Sequence, residues 1–367
     1  MSTRRKILYA ASTASHLRRF HMPYIEALRC KYDVFLMATE GEGIDFPISF
    51  SKSFFSPSNL RSVFRIRKIL KRERFDKIIV HTTLAAFLIR AAMLGMKKRP
   101  YVLNVVHGYL FSRPIAGKKD RLLLLCERLM RNMTDALAVM NEEDLGIATE
   151  FPLCRGSITF MQGMGLAIPE ETPKRDEALR MQYAPGADDF LCTFVGELSA
   201  RKNQMFLIRA AERLRGEGIP IRLLLLGDGS QKDLLEQEIR DTRLEDCVFL
   251  AGNREPILPY LGISDLYVSA SISEGLPFNV MEAMSVGLPI LASDTKGQND
   301  LLRAYSDTLY PLQDMDAFCE KLKRVYTSGC HGAGSRSYPN LEQYRLGAVF
   351  DENMKLFSEG GHDENQA

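Results

Sequence analysis

Glu274 and Glu282 stand eight residues apart in the segment Ser271 to Met284, which leaves a short apolar run and opens a helical pattern. If wholly helical, that spacing spans at most about 12 Å. Gly275 lets the backbone pass close to a ligand, and Pro277 suits a helix start, where its missing N–H costs nothing. The N–H groups of Phe278, Asn279 and Val280 would then form an anion site of the kind that takes a diphosphate. Two carboxylates with an anion site between them could hold hydroxyls at opposite ends of one diphosphate-linked molecule. The plainer alternative is a capping Glu274 and an ion-paired Glu282.

A second strand-to-helix loop carries Gly196, Arg201 and Lys202. Arg presents a planar fork to phosphate oxygens and Lys a point charge. A third, Leu226 to Ser230, ends a strand with Gly227-Asp228-Gly229 and is either a capped turn or a close-approach loop. In the first half, His107 ends a strand beside Gly108, and the first strand runs into Ser12-Thr13-Ala14-Ser15-His16. Ser12 and His16 are therefore candidates for contact with an acceptor. The glycines of a dinucleotide fingerprint are missing there, and Walker, nucleophile-elbow and zinc-protease sequences are missing throughout. Asp314-Met315-Asp316 opens a late amphipathic helix, where capping explains it better than a metal. No metal is expected.

These loops need strands to carry them. Lys6–Ala11, Tyr32–Ala38, Lys77–His81, Tyr101–Val106 and Ala136–Val139 read as buried strands in the first half. Phe190–Val195, Arg222–Gly227, Val248–Leu250, Leu266–Ser269 and Pro289–Ala292 read so in the second. Helical stretches alternate with them, among them Arg19–Arg29, Leu60–Arg72, Lys119–Arg131, Gln204–Arg215, Gln231–Arg240 and Val280–Val286. That rhythm predicts an α/β protein of two doubly wound parallel sheets facing across a cleft, with ligand at the carboxyl ends of the strands. The boundaries read as 1–170, 171–340, a last helix within 341–358 that returns to the first domain, and a disordered tail, 359–367. Prolines 169, 173 and 185 mark the join.

Charge divides the same way. Residues 1–170 hold 27 Lys and Arg against 15 Asp and Glu; the remainder holds 21 against 31. A basic half suggests an anionic partner, or simply a solvated surface. The stretch Arg61 to Arg72 is basic and amphipathic and could rest on an anionic leaflet. No apolar run reaches the roughly 18 residues of a membrane span. Seven cysteines, without CxxC spacing, suggest reduced thiols in a cytoplasmic protein.

The two glutamates in EGLPFNVMEAM, with Gly196, Arg201-Lys202-Asn203, Gly227-Asp228-Gly229, His107-Gly108, Asn141-Glu142-Glu143 and Gly163-Met164-Gly165, resemble family 4 glycosyltransferases over nearly the whole chain. The similarity points to the branch that builds bacterial capsular and exopolysaccharide repeat units. It implies the GT-B fold and a retaining, metal-independent, hexosyltransferase-type enzyme. The donor would be a nucleotide sugar, UDP-linked, and the acceptor a saccharide or lipid-diphosphate-linked saccharide, with no role for nucleic acid. A cytoplasmic location is expected, with a peripheral hold on the inner face of the membrane if the Arg61 to Arg72 stretch is more than an ordinary solvated helix. By this resemblance Glu282 binds the ribose, Glu274 the donor sugar hydroxyls, and Arg201 and Lys202 the leaving diphosphate. His107 touches the transferred sugar, and Arg254 borders the base. One departure is Glu197, where many relatives carry Arg; Arg201 is expected to take over that contact. A nonhydrolysing sugar-nucleotide epimerase and a non-catalytic nucleotide-sugar-binding protein are the alternatives on this architecture.

Overall fold

The computed structural model describes residues 4–51, 56–305 and 307–360. Contacts divide the chain into two units, one of residues 1–165 together with 346–367, the other of residues 166–345. The tail expected from 359 lies, beyond Gly360, outside the described residues.

The first unit carries strands β1 (Lys6–Ala10), β2 (Asp33–Ala38), β3 (Phe46–Pro47), β4 (Lys77–His81), β5 (Tyr101–Val106), β6 (Ala136–Val139) and β7 (Ile158–Phe160). All pair in parallel, in the order β3-β2-β1-β4-β5-β6-β7. Its helices are α1 (Ala14–Phe20), α2 (Met22–Arg29), α3 (Pro57–Glu73), α4 (Thr83–Met93), α5 (Lys118–Leu129) and α6 (Glu142–Glu150). The central strands are buried along nearly their whole length, as a sheet covered on both faces requires.

The second unit holds helices α7 (Glu177–Met181), α8 (Gln204–Gly216), α9 (Lys232–Asp241), α10 (Leu258–Gly262), α11 (Phe278–Ser285), α12 (Gln298–Leu302) and α13 (Met315–Ser328). Its strands are β8 (Phe190–Val195), β9 (Ile221–Leu226), β10 (Val248–Gly252), β11 (Leu266–Ser269), β12 (Ile290–Ser293) and β13 (Leu309–Tyr310), in the order β10-β9-β8-β11-β12-β13. Two apolar layers cover this sheet. Phe190, Phe194 and Leu207 belong to one, and Leu191, Tyr267 and Met281 to the other.

Helix α14 (Leu346–Ser358) belongs to the first unit. Tyr24 stacks on Phe350 at 5.1 Å and meets Phe357 edge-on. Asn353 Nδ2 donates to Tyr24 Oη at 3.0 Å and to the Gly163 carbonyl at 2.9 Å. The Lys77 ammonium donates to the carbonyls of Leu356, Phe357 and Glu359, closing the helix end.

Each sheet reverses its strand order once, between β1 and β4 and between β8 and β11. Loops leaving the carboxyl ends of strands diverge at such points and leave a crevice.

Candidate functional site

The second unit's reversal point is bounded by the loops after β8 and β11. At the end of β8 the chain turns through Gly196, with φ +149°, and its N–H donates to the Leu226 carbonyl at 2.8 Å. The loop after β9 lies directly against this turn. A Cβ on Gly227 would stand 1.9 Å from the Gly196 carbonyl oxygen, and one on Gly229 2.3 Å from that of Leu198. Only glycine fits either place. Gly227 N–H also donates to the Gly252 carbonyl at 2.8 Å, drawing in the β10 loop that carries the exposed Arg254.

Arg201 and Lys202 follow in the same turn and both reach Glu274. Lys202 Nζ lies 2.6 Å from Glu274 Oε1, and an Arg201 guanidinium nitrogen lies 2.9 Å from Oε2. The Ile272 N–H donates to the Arg201 carbonyl at 2.8 Å, so backbone as well as charge joins the two loops. Glu274 is 7% exposed and Lys202 8%, whereas the Arg201 side chain is half-exposed. Burial pushes the Glu274 carboxyl up, but Lys202 and Arg201 outweigh it and hold it below the usual carboxylate range. The group therefore stays an acceptor, fit to receive hydroxyls.

Helix α11 is capped by Pro277, and the Val280 N–H is already spent on the Pro277 carbonyl at 3.1 Å. A tight first turn thus removes one of the three N–H donors expected there. Asn279 Nδ2 donates to the Val195 carbonyl at 2.6 Å, fixing the helix start to β8. Glu282 sits half-buried on the same helix, one turn beyond Phe278. Gly297, at φ +75°, packs so closely that a Cβ would meet the Gly275 carbonyl oxygen at 2.3 Å. Beneath, Ser293 Oγ donates to the Ser271 carbonyl and Gln298 Nε2 to Ser269 Oγ, both at 2.6 Å. Asp314 is a helix cap, accepting from the Ala317 N–H at 2.9 Å, and Asp316 pairs with Arg213.

Ser199 and Thr295, which the sequence reading missed, each bury a hydroxyl oxygen that finds no partner among the described residues. Buried polar atoms are normally satisfied. Two such oxygens in the loops that carry Arg201 and Gly297 are what a polar ligand would complete.

At the first unit's reversal point, Ser12 grips Thr82, its N–H donating to Thr82 Oγ1 at 3.0 Å and the two hydroxyls lying 2.6 Å apart. Thr82 has φ +70°, a strained value for a β-branched residue. His107 does not stand alone. His81 Nδ1 hydrogen-bonds His107 Nε2 at 3.0 Å, Tyr9 Oη bonds His21 Nδ1 at 3.0 Å, and the ring of His16 lies 5.0 Å from that of His107. Burial lowers all four imidazoles below the ordinary histidine value, His16 to about 4. They are neutral near pH 7. His21 and His81 escaped the sequence reading; the available signal was that β1, β4 and β5 are parallel, so His81, His107 and the loop after β1 must share one edge.

Two family profiles match. The one described as glycosyl transferases group 1 covers residues 176–338, and the one described as glycosyl transferase 4-like domain covers residues 9–155. Among curated relatives, the putative glycosyltransferase EpsD of Bacillus subtilis is 27% identical, with 96% of each chain aligned. The UDP-Gal:alpha-D-GlcNAc-diphosphoundecaprenol alpha-1,3-galactosyltransferase of Escherichia coli is 26% identical over 80% of each. Among solved structures, Anabaena HepE, crystallised with UDP and glucose, superposes with a TM-score of 0.73 at 18% identity, covering 97% of this chain and 100% of that one. Glycosyltransferases of the GT-B fold share the two parallel-sheet, Rossmann-like units described above.

Proposed function

The chain belongs to the glycosyltransferases, with a 4-like domain followed by a group 1 domain, and on that premise we propose that it transfers a hexosyl group from a UDP-sugar to a saccharide hydroxyl with retention of configuration. The acceptor is a lipid-diphosphate-linked saccharide of surface polysaccharide assembly. The galactosyltransferase relative is named for such an acceptor and for a UDP donor. The observation that carries the reading is the Lys202–Glu274–Arg201 cluster on two backbone-joined loops.

Glu274, kept ionised, accepts hydrogen bonds from sugar hydroxyls and orients the ring. Two cations around one carboxylate leave a net positive charge, which suits the diphosphate that becomes more negative as the glycosidic bond breaks. Half-exposed Arg201 is the cation freer to turn toward it. Glu282 holds the ribose, and the loops at Gly196, Gly227 and Gly275 let the backbone approach the nucleotide. Arg254 borders the base. Ser12 and His16 are assigned to the acceptor, and His107 to the transferred sugar. The leaving phosphate takes the acceptor proton, so no dedicated base is assigned. With Arg201 and Lys202 in this role, transfer needs no metal.

Release of UDP or GDP from a panel of nucleotide sugars tests this, with native lipid extract as acceptor source. One donor is expected to react, with turnover unchanged by EDTA and at least about 100-fold slower in Glu274→Ala and Lys202→Ala. Donor binding without turnover on any acceptor would instead indicate a non-catalytic nucleotide-sugar-binding protein.

Membrane attachment rests on α3. Its exposed face carries Leu60 and Phe64, 60% and 64% exposed, among Arg61, Arg65, Lys68, Lys71 and Arg72. Arg67 is not available, since it donates to the carbonyls of Ala92 and Leu94. Helix α5 adds exposed Leu122, Leu125 and Leu129. Among the described residues no helix is long and apolar enough to cross a membrane. Anionic liposomes at low salt are expected to retain the protein, and to release it in Phe64→Ser with Arg61→Ser and Arg65→Ser. Equal retention by neutral liposomes would count against the electrostatic part.

A further inference from the structure

The four clustered histidines of the first unit, two of them fully buried, are more than the roles proposed for His16 and His107 require. One ring nitrogen each from His16, His21 and His107 lies within 4.8 Å of the other two. We propose that these three residues bind a divalent borderline metal ion of the zinc type, in a site that sugar transfer does not need.

Ring orientation supports this first. Tyr9 Oη occupies Nδ1 of His21, which leaves Nε2, and that nitrogen is buried with no partner among the described residues. His81 occupies Nε2 of His107 and leaves Nδ1. His16 Nε2 is likewise buried and unpartnered. Metal-binding histidines characteristically have the ring nitrogen opposite the metal held by a hydrogen bond, which fixes tautomer and direction. Tyr9 and His81 hold His21 and His107 in that way.

The chemistry of the set fits the same class of ion. Three neutral imidazoles with no thiolate among them favour zinc, nickel, copper or cobalt over magnesium or calcium. A three-histidine set leaves one tetrahedral position for water or a ligand hydroxyl. Zinc–nitrogen bonds of about 2.0–2.1 Å in a tetrahedron put ligand nitrogens about 3.3 Å apart. Closing from 4.8 Å divides between two rings whose terminal torsions lie in broad wells.

One consequence rests on the function proposed above. If His107 touches the transferred sugar, an ion bound there occupies a reactive position, so Zn2+ added to the metal-free enzyme slows transfer and EDTA reverses only that added inhibition. The site itself is tested without any activity. Full-length protein stripped with EDTA is titrated with Zn2+ by calorimetry and with Co2+ by visible absorption. One equivalent is expected, with cobalt bands of nitrogen ligation and no thiolate-to-cobalt charge transfer. Affinity should fall at least tenfold in His21→Gln, and about 10- to 100-fold in His81→Phe, which keeps an aromatic ring and loses the bond that orients His107. Zn2+ should raise the melting temperature of the wild type and not of His21→Gln; should that variant fail to fold, His16→Gln replaces it. Failure to bind either ion would overturn the proposal. So would thiolate charge-transfer bands that persist unchanged in the histidine variants, because they would assign the metal to the cysteines.

Discussion

Lys202 and Arg201 reach Glu274 from a different strand, so each member of the cluster is as well placed as the loop beneath it. Gly227→Ala is the sharpest test of that dependence, since its methyl would fall 1.9 Å from the Gly196 carbonyl. We expect donor binding to be lost together with a stability decrease of about 2–4 kcal/mol, typical of backbone strain and overpacking. Urea unfolding and donor titration measure the two; a variant as stable as wild type would mean the loops are not stacked in solution. The pH dependence of Glu274 has a definite sign. Its folded pKa lies below the ordinary 4.5, so its contribution is complete above that value and is lost as pH falls through the folded pKa. Between pH 6 and 3 the wild type should therefore lose more of its urea midpoint than Glu274→Gln. Parallel curves would show that the carboxylate is not held by its cations. These residues were legible in the sequence because each lies in a short segment that follows its strand directly. Ser199 and Thr295 were not, for a hydroxyl reveals its lack of partners only once the surrounding chain is in place.

At the scale of elements, the sequence disclosed long strands well and short or wholly buried elements poorly. Strands β3, β7 and β13, of two or three residues, carry no period to detect. Helix α4 buries seven of eleven residues and so lacks the polar face that marks a helix. Its Arg90 is fully buried and forms a two-pronged pair with Glu127 of α5, at 2.8 and 3.0 Å, plus a bond to Thr134. Neither partner could be matched from sequence, being 37 residues apart. Arg90→Met should cost about 3–5 kcal/mol by stranding the Glu127 carboxylate, and adding Glu127→Met should recover much of it. Chemical denaturation of the three variants decides this; an additive double variant would mean that the pair is not coupled. The histidine cluster taught the same lesson, since strand order alone brings β4 and β5 beside the loop after β1.

At the scale of the molecule, the first unit is discontinuous. Its sheet comes from residues before 165, while α14 supplies Phe350, Asn353 and Phe357 around Tyr24. A chain ending at Arg345 should thus retain the second unit's unfolding transition and lose or sharply lower the first's, in calorimetry or proteolysis. An unaltered first transition would reduce α14 to a surface attachment. Lys77 lends this a pH signature. Burial pulls its ammonium down to about 7, against Glu359 acting the other way, so the unfolded chain binds more protons between about pH 7 and 10. Stability relative to Lys77→Met should rise across that window.

The order in which a ribosome delivers the chain gives this discontinuity a meaning in time. Domains tend to fold as they emerge, the first-made portion first. Here the earliest-made sheet waits, with the surroundings of Tyr24 unfinished, while all of residues 166–345 are produced. The unit that starts first is completed last.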